Sequence, residues 1–203
     1  TITLSTCARE AGDFLKALEL ITAAQESFPV ELRNSATYAR LLSSAIGIHY
    51  IRGEYTRAEE LSDQALSIFD ERTEASAQAA ILWNASLAAD ANQDVTKALL
   101  LAQRAAGLYS ESDDRRAEGQ LRIAISWLFT RQTPPNSLAA REQLVRAEFL
   151  LEHSGTALDL ASLETEFARV EWLEDNFELA LKHATSALSR LSVSKDRLQS
   201  AEA

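Results

Sequence analysis

Apolar residues recur in this chain at helical spacing, in blocks of similar length. In "SATYARLLSSAIGIHYIRG" they fall at Leu42, Ala45, Ile46 and Ile48, and in "SAQAAILWNASLAADANQ" at Ile81, Leu82, Ala85 and Leu87. "AEGQLRIAISWLFTRQ" repeats the pattern with Leu121, Ala124, Ile125 and Leu128, and "LASLETEFARVEWLED" with Leu160, Leu163, Phe167, Val170 and Leu173. Steps of three and four place such residues on one side of an α-helix. No segment sustains the period-two alternation of a half-buried strand. The pattern predicts an all-α chain with no sheet.

A short motif follows each block. Gly12-Asp13-Phe14 leads to Ala17 and Ala24, and Gly53-Glu54-Tyr55 to Ala58 and Ala65. Gln93-Asp94-Val95 leads to Ala98 and Ala105, Pro135-Asn136-Ser137 to Ala140 and Ala147, and Asp175-Asn176-Phe177 to Ala180 and Ala187. The steps between motifs are 41, 40, 42 and 40 residues. Glycine at a helix end adopts the left-handed conformation that stops a helix. The acidic residue or Asn after it caps the next helix. Phe14, Tyr55 and Phe177 stand where they can wedge between helices, and two alanines seven apart let neighbouring helices approach closely. Each unit therefore reads helix, turn, helix. The predicted repeats span about 1–33, 34–73, 74–113, 114–155 and 156–193, in one domain over 1–193. The polar stretch 194–203 reads as a tail or cap.

These motifs resemble the tetratricopeptide repeat. The first two units match it well, and the resemblance covers nearly the whole chain. The third lacks both the glycine and the aromatic residue, the fifth has Asp175 for glycine, and "TPPNS" in the fourth departs most and predicts a local distortion. The repeat of that family has about 34 residues. The longer step here predicts helices about one turn longer, near 16–18 residues. The first helix of the first repeat is short or cut, with about ten residues before Gly12.

The resemblance implies a right-handed superhelical solenoid whose first helices line a concave groove for a peptide. Carried over residue by residue, the inward positions include Arg40, Ser43 and Tyr50 in the second unit and Trp83, Asn84 and Leu87 in the third. They include Arg122, Ser126 and Phe129 in the fourth and Arg169 and Trp172 in the fifth. Arginine, asparagine and aromatic side chains suit a peptide backbone, a carboxylate and apolar anchors. Plainer uses compete: Trp83 and Trp172 packed between repeats, the arginines solvated, Asn84 bridging locally. The family's dicarboxylate clamp is not reproduced.

Composition narrows the function. Net charge is −10, and no basic patch stands out, so this part of the protein is not expected to touch nucleic acid. The single cysteine, Cys7, excludes an internal disulfide and a cysteine-based zinc cluster, and it reads as a small buried residue. His49, His153 and His183 lack paired-ligand spacing, and no nucleophile elbow or phosphate loop occurs. No enzyme activity, cofactor or metal is therefore expected. No run of 18 apolar residues predicts a membrane span, and the expected compartment is the cytoplasm. A chain starting at Thr1 with no methionine reads as a piece of a longer protein.

The segments "AREAGDFLKALEL", "LWNASLAAD" and "LRIAISWLFTRQTPPN" resemble the C-terminal repeat domains of actinobacterial Xre-type helix-turn-helix regulators. That resemblance implies a DNA-binding domain upstream and a peptide or partner protein in the groove; an uncapped terminal repeat exposes an apolar face and so offers a surface for a homodimer. The competing expectation is a constitutive scaffold that docks one protein and senses nothing.

Overall fold

A computed structural model describes residues 11–68 and 74–201, with the side chains of Ala36, Ile68 and 193–201 left aside. The helices are α1 (Phe14–Glu26), α2 (Ala36–Ile51), α3 (Tyr55–Ile68), α4 (Ala75–Ala91), α5 (Val95–Glu111), α6 (Arg115–Thr130), α7 (Ser137–Leu151), α8 (Ala157–Leu173) and α9 (Phe177–Ala201). A 3-10 turn at Val30–Leu32 lies between α1 and α2. Among the described residues there is no strand. Cys7 and the first helix of the first repeat lie outside the described residues. Helix α9 continues to Ala201, through most of the stretch read as a polar tail.

Each of the five motifs starts a helix at its third residue: Phe14, Tyr55, Val95, Ser137 and Phe177. Asp13 accepts a hydrogen bond from the Lys16 amide (3.0 Å), Asp94 from Lys97 (2.9 Å) and Asn136 from Ala139 (3.1 Å). These caps satisfy amide groups that the first turn leaves free. The motif's first residue is left-handed at Gly12 (φ 79°) and Gly53 (φ 76°), and also where glycine is missing, at Gln93 (φ 68°) and Asp175 (φ 60°). Three of these turns close identically. The amides of Glu54, Asp94 and Asn176 donate to the carbonyls of His49, Ala89 and Glu171, each at 2.9 Å. This is the six-to-one bond of a Schellman helix end. It holds Gln93 and Asp175 in a conformation that costs a non-glycine residue about 1–2 kcal/mol. The fourth turn differs, as "TPPNS" predicts. Residues 131–136 form a longer connection with a cis Thr133–Pro134 bond, closed by the Asn136 amide on the Phe129 carbonyl at 3.0 Å. The first helices α2, α4, α6 and α8 have 16, 17, 16 and 17 residues, in the predicted range.

The chain divides into two compact units at the Ser112–Asp113 bond. In the N-terminal unit α1–α4 pack on Ile21, Leu41, Leu42, Ile46, Ile48 and Ile81, all wholly buried. In the C-terminal unit Leu144, Leu151 and Val170 are wholly buried, with Leu163 and Phe167 beside them. Burying one such side chain stabilises the fold by about 1.5–3 kcal/mol. Of the motif alanines, Ala17, Ala58, Ala65, Ala98, Ala105, Ala140, Ala147, Ala180 and Ala187 are buried, and Ala24 is half-buried. Only side chains this small fit where the helices pack so closely.

Polar joints tie the second repeat to the third and the fourth to the fifth. Asn84 Nδ2 donates to the Ser43 carbonyl (3.1 Å) and hydroxyl (2.7 Å). Glu59 receives Lys97 Nζ (2.5 Å) and Asn92 Nδ2 (2.6 Å). Asp159 receives Arg116 Nε (2.8 Å) and Gln120 Nε2 (2.6 Å), while forming a capping box with Thr156. Arg141 reaches Glu171 (2.7 Å) and Glu174 (2.5 Å). Burial pushes the Asp159 carboxyl up, but the bonds from Arg116, Gln120 and Thr156 outweigh it and hold it well below the usual carboxylate range. The Arg141 hydrogen bond likewise lowers Glu171.

Candidate functional site

The C-terminal unit carries an open apolar pocket of about 520 Å3. Trp127 and Thr130 of α6 form one wall, and Thr165, Arg169 and Trp172 of α8 the floor. Phe177, Leu181 and Ala184 of α9 form the other wall, and Arg131 stands at the rim. Trp127 is the centre of a cationic arrangement. The Arg169 guanidinium carbon lies 4.3 Å from its ring centroid, and that of Arg131 lies 5.5 Å away. Each contact attracts through the ring's quadrupole, by about 0.5–2 kcal/mol depending on exposure. Trp172 meets Phe177 edge to face at 5.0 Å, and Trp172 remains 64% exposed.

Arg169 is held from behind, where its Nε donates to Glu166 Oε2 at 3.1 Å. Burial pushes the Glu166 carboxyl up, and the nearby Arg169 charge opposes that shift. One bond to Glu166 leaves the guanidinium's remaining donors for other acceptors. The site thus combines broad apolar area with a positioned cation. The arrangement offers contact to an apolar side chain and hydrogen bonds to a carboxylate or backbone carbonyl beside it. Among the described residues no group of three or more His, Cys, Asp or Glu side chains could hold a metal ion.

The residues singled out by sequence separate into those at this pocket and those engaged elsewhere. Arg169 and Trp172 line it. Phe129 packs on the core of the same unit, and Ser126 is wholly buried with no hydrogen-bond partner for its hydroxyl among the described residues. Arg122 turns into the α6–α7 hairpin, donating to Glu118 (2.9 Å) and Gln143 (2.8 Å). In the N-terminal unit Ser43 and Asn84 bond to each other, and Trp83 meets Tyr109 of α5 edge to face at 6.1 Å. Leu87 is half-buried on α4. Tyr50 lies 5.7 Å from Tyr55, and burial with the nearby Asp90 charge raises its hydroxyl pKa. Arg40 makes one exposed pair with Glu74 at 3.5 Å.

Sequence reasoning passed over Trp127, Arg131, Phe177 and Leu181 as pocket residues. A signal for Trp127 existed. It stands twelve residues after the first residue of its helix, as Leu87 and Arg169 do in theirs. The longer connection after α6 hides this when the count starts from the motif.

No family model matches the chain, and no curated protein matches it. Solved structures do resemble it. BtubC (BKLC) from P. vanneervenii has a TM-score of 0.75 and 19% identity over 95% of this chain and 78% of that one. A Podosopora anserina putative kinesin light chain with nearly identical TPR-like repeats scores 0.69 at 13% identity, over 95% and 93%. MamA scores 0.64 at 12% identity, over 95% and 96%. At these identities the likeness is one of fold: an all-α solenoid of TPR-like repeats. Among the described residues no helix is long and apolar enough to cross a membrane.

Proposed function

We propose that this domain is a protein–protein interaction module that captures a segment of a partner in the pocket of its C-terminal unit. One observation carries the reading: Trp127 under the guanidiniums of Arg131 and Arg169, beside the exposed ring of Trp172. Tryptophan and arginine are the residues that most often dominate binding energy at interfaces. The ligand is a peptide with one large apolar anchor and a carboxylate next to it. The domain works without catalysis or a cofactor.

In the larger protein the module acts as the sensor or dimerisation domain of a bacterial transcriptional regulator in the cytoplasm. The resemblance of its repeats to those of Xre-type regulators supports this. So does the net charge of −10, since DNA contact then falls to another domain. A second reading, a constitutive scaffold, is favoured by the mutual bonding of Ser43 with Asn84 and the packing of Trp83 on Tyr109. Those residues are engaged with one another within the fold.

The test is peptide display against the purified chain, followed by titration of selected peptides. Trp127→Ala and Arg169→Ala should each weaken a selected peptide at least tenfold. Equal affinity for both variants and the parent would place the binding surface elsewhere. For the regulator reading, the coding sequence ahead of Thr1 decides. A helix-turn-helix domain in frame supports it, whereas a kinase, protease or membrane segment supports the scaffold.

A further inference from the structure

The groove between α6 and α8 does not end at Trp127. A second hollow of about 330 Å3 shares that ring and lies toward the start of both helices. Ile123 and Ala124 of α6 and Leu158 of α8 supply its apolar surface, and Gln120, Ser162 and Glu166 its polar one. Glu166 bonds to Arg169 of the first pocket, so the two hollows adjoin. Ile123 stands two helical turns before Thr130, and Ser162 two turns before Arg169, which is roughly 10 Å along the groove.

The polar groups of this hollow have one sense: they accept. Asp159, at its inner end, is already spent, because Arg116, Gln120 and Thr156 take both carboxylate oxygens. Toward a carboxylate Gln120 can only donate, and it does so through Nε2 at 2.6 Å. That fixes its amide and leaves Oε1 as an acceptor. Glu166 Oε2 receives Arg169 Nε, while Glu166 Oε1 and the Ser162 hydroxyl have no partner among the described residues. The Glu166 side chain is only 13% exposed. Burial pushes its carboxyl up by more than the Arg169 charge brings it down, so its loss of water is not fully offset. The N-terminal unit closes the same level of its repeat. Ala75 and Ala157 open α4 and α8, so Glu166 corresponds to Asn84 and Ser162 to Ala80. Asn84 spends its donor on Ser43 of the facing helix, whereas the one bond of Glu166 stays within its own helix.

We infer that the second hollow is a subsite for a lysine or arginine side chain of the bound segment, about three residues from that segment's apolar anchor. The inference rests on the pocket reading above and supplies the other half of its ligand. A basic side chain answers each feature of the hollow. Its aliphatic stem covers Ile123, Ala124 and Leu158. Its cation donates to Glu166, Gln120 and Ser162 and is attracted by the Trp127 ring. An acidic side chain would instead meet oxygen acceptors and a buried carboxylate. An extended chain advances about 3.3 Å per residue, so roughly 10 Å of groove corresponds to about three residues. The groove then reads a segment with a carboxylate at Arg169 and a cation at Glu166.

The experiment selects phage-displayed random peptides on the whole chain and on its Ser162→Lys variant, and titrates synthetic copies by calorimetry. Peptides selected on the parent should carry Lys or Arg at a fixed offset of about three residues from an aromatic or large apolar residue. Replacing that basic residue by norleucine keeps the stem, drops the charge and should weaken binding about tenfold. In Glu166→Gln the basic and norleucine peptides should bind alike, and Ser162→Lys should select an acidic residue at that offset. Selected peptides without the basic residue overturn the inference. So do a norleucine penalty unchanged in Glu166→Gln and basic residues still selected on Ser162→Lys. If such peptides nonetheless need Trp127 and Arg169, the pocket reading stands. Peptides indifferent to Trp127→Ala, or a selection that yields none, overturn both.

Discussion

Replacing Gly119 by alanine sets two effects against each other, and the structure decides between them. Gly119 lies inside α6, where alanine is favoured over glycine by about 0.5–1 kcal/mol. A β-carbon built there would lie 2.6 Å from Leu151 Cγ, 2.8 Å from Cδ2 and 3.3 Å from Cδ1. Carbon atoms pack best at about 3.5–4.0 Å. Leu151 is wholly buried, and the atom closest to the new methyl is its branch point, which cannot swing aside as a chain end would. Overpacking of this kind costs about 1–3 kcal/mol. The upper part of that range applies, and the net loss should be about 2 kcal/mol. With a urea slope of about 1–3 kcal/mol/M, the midpoint should fall by roughly 1 M. The assay is urea unfolding followed by fluorescence in a Trp83→Phe background, where Trp127 and Trp172 report the C-terminal unit alone. Gly107 in α5 is the control. It has nothing within 4 Å of a built β-carbon, so Gly107→Ala should stabilise by about 0.5–1 kcal/mol. In a Leu151→Ala background the penalty at Gly119 should vanish, a coupling that a double-mutant cycle reads directly. A Gly119→Ala variant as stable as its parent, or equally destabilised with and without Leu151, would refute the packing argument.

Two further outcomes can be checked on the same chain. Asn84→Ala removes a side chain that bonds twice to Ser43 and should cost the N-terminal unit about 1–3 kcal/mol, read as an earlier urea transition of Trp83 fluorescence. The second concerns acid. Asp159 has its pKa held down in the fold, so on acidification the unfolded chain takes up this proton first. Its contribution is complete above the unfolded carboxylate value of about 3.9 and is lost as pH falls below it. The urea midpoint of the C-terminal unit should therefore fall as pH drops from about 4 towards 2, and less so in Asp159→Asn. Parallel pH profiles for the two chains would exclude Asp159 as a source of acid sensitivity.

The turns were legible in the sequence because their requirements are local. A left-handed residue and a cap lie within three positions, so Gly12-Asp13 and Gly53-Glu54 announce themselves. Gln93 and Asp175 become readable once the 40-residue step is fixed. The pocket was less legible. Its central contact joins Trp127 to Arg169, 42 positions apart, and the longer connection after α6 shifts any count made from the motif. Arg122 illustrates a second limit. An arginine on a first helix suits a groove equally well as a hairpin, and only the placement of Glu118 and Gln143 commits it to the hairpin.

Repeats this similar carry a hazard of mistaken identity during folding, because any hairpin presents alanines to which another could stack. The polar joints answer it, since no two share the same chemistry. One is an amide on a serine, one a lysine and an asparagine on a glutamate, one an arginine and a glutamine on a capping aspartate, one an arginine across two glutamates. A hairpin docked on the wrong neighbour would strand at least one of these groups, at about 1–3 kcal/mol for each buried without a partner. Misassembly and swapping are the characteristic failures of repeat chains. Here the junction of the second and third repeats and that of the fourth and fifth are keyed by different polar groups, so one cannot stand in for the other.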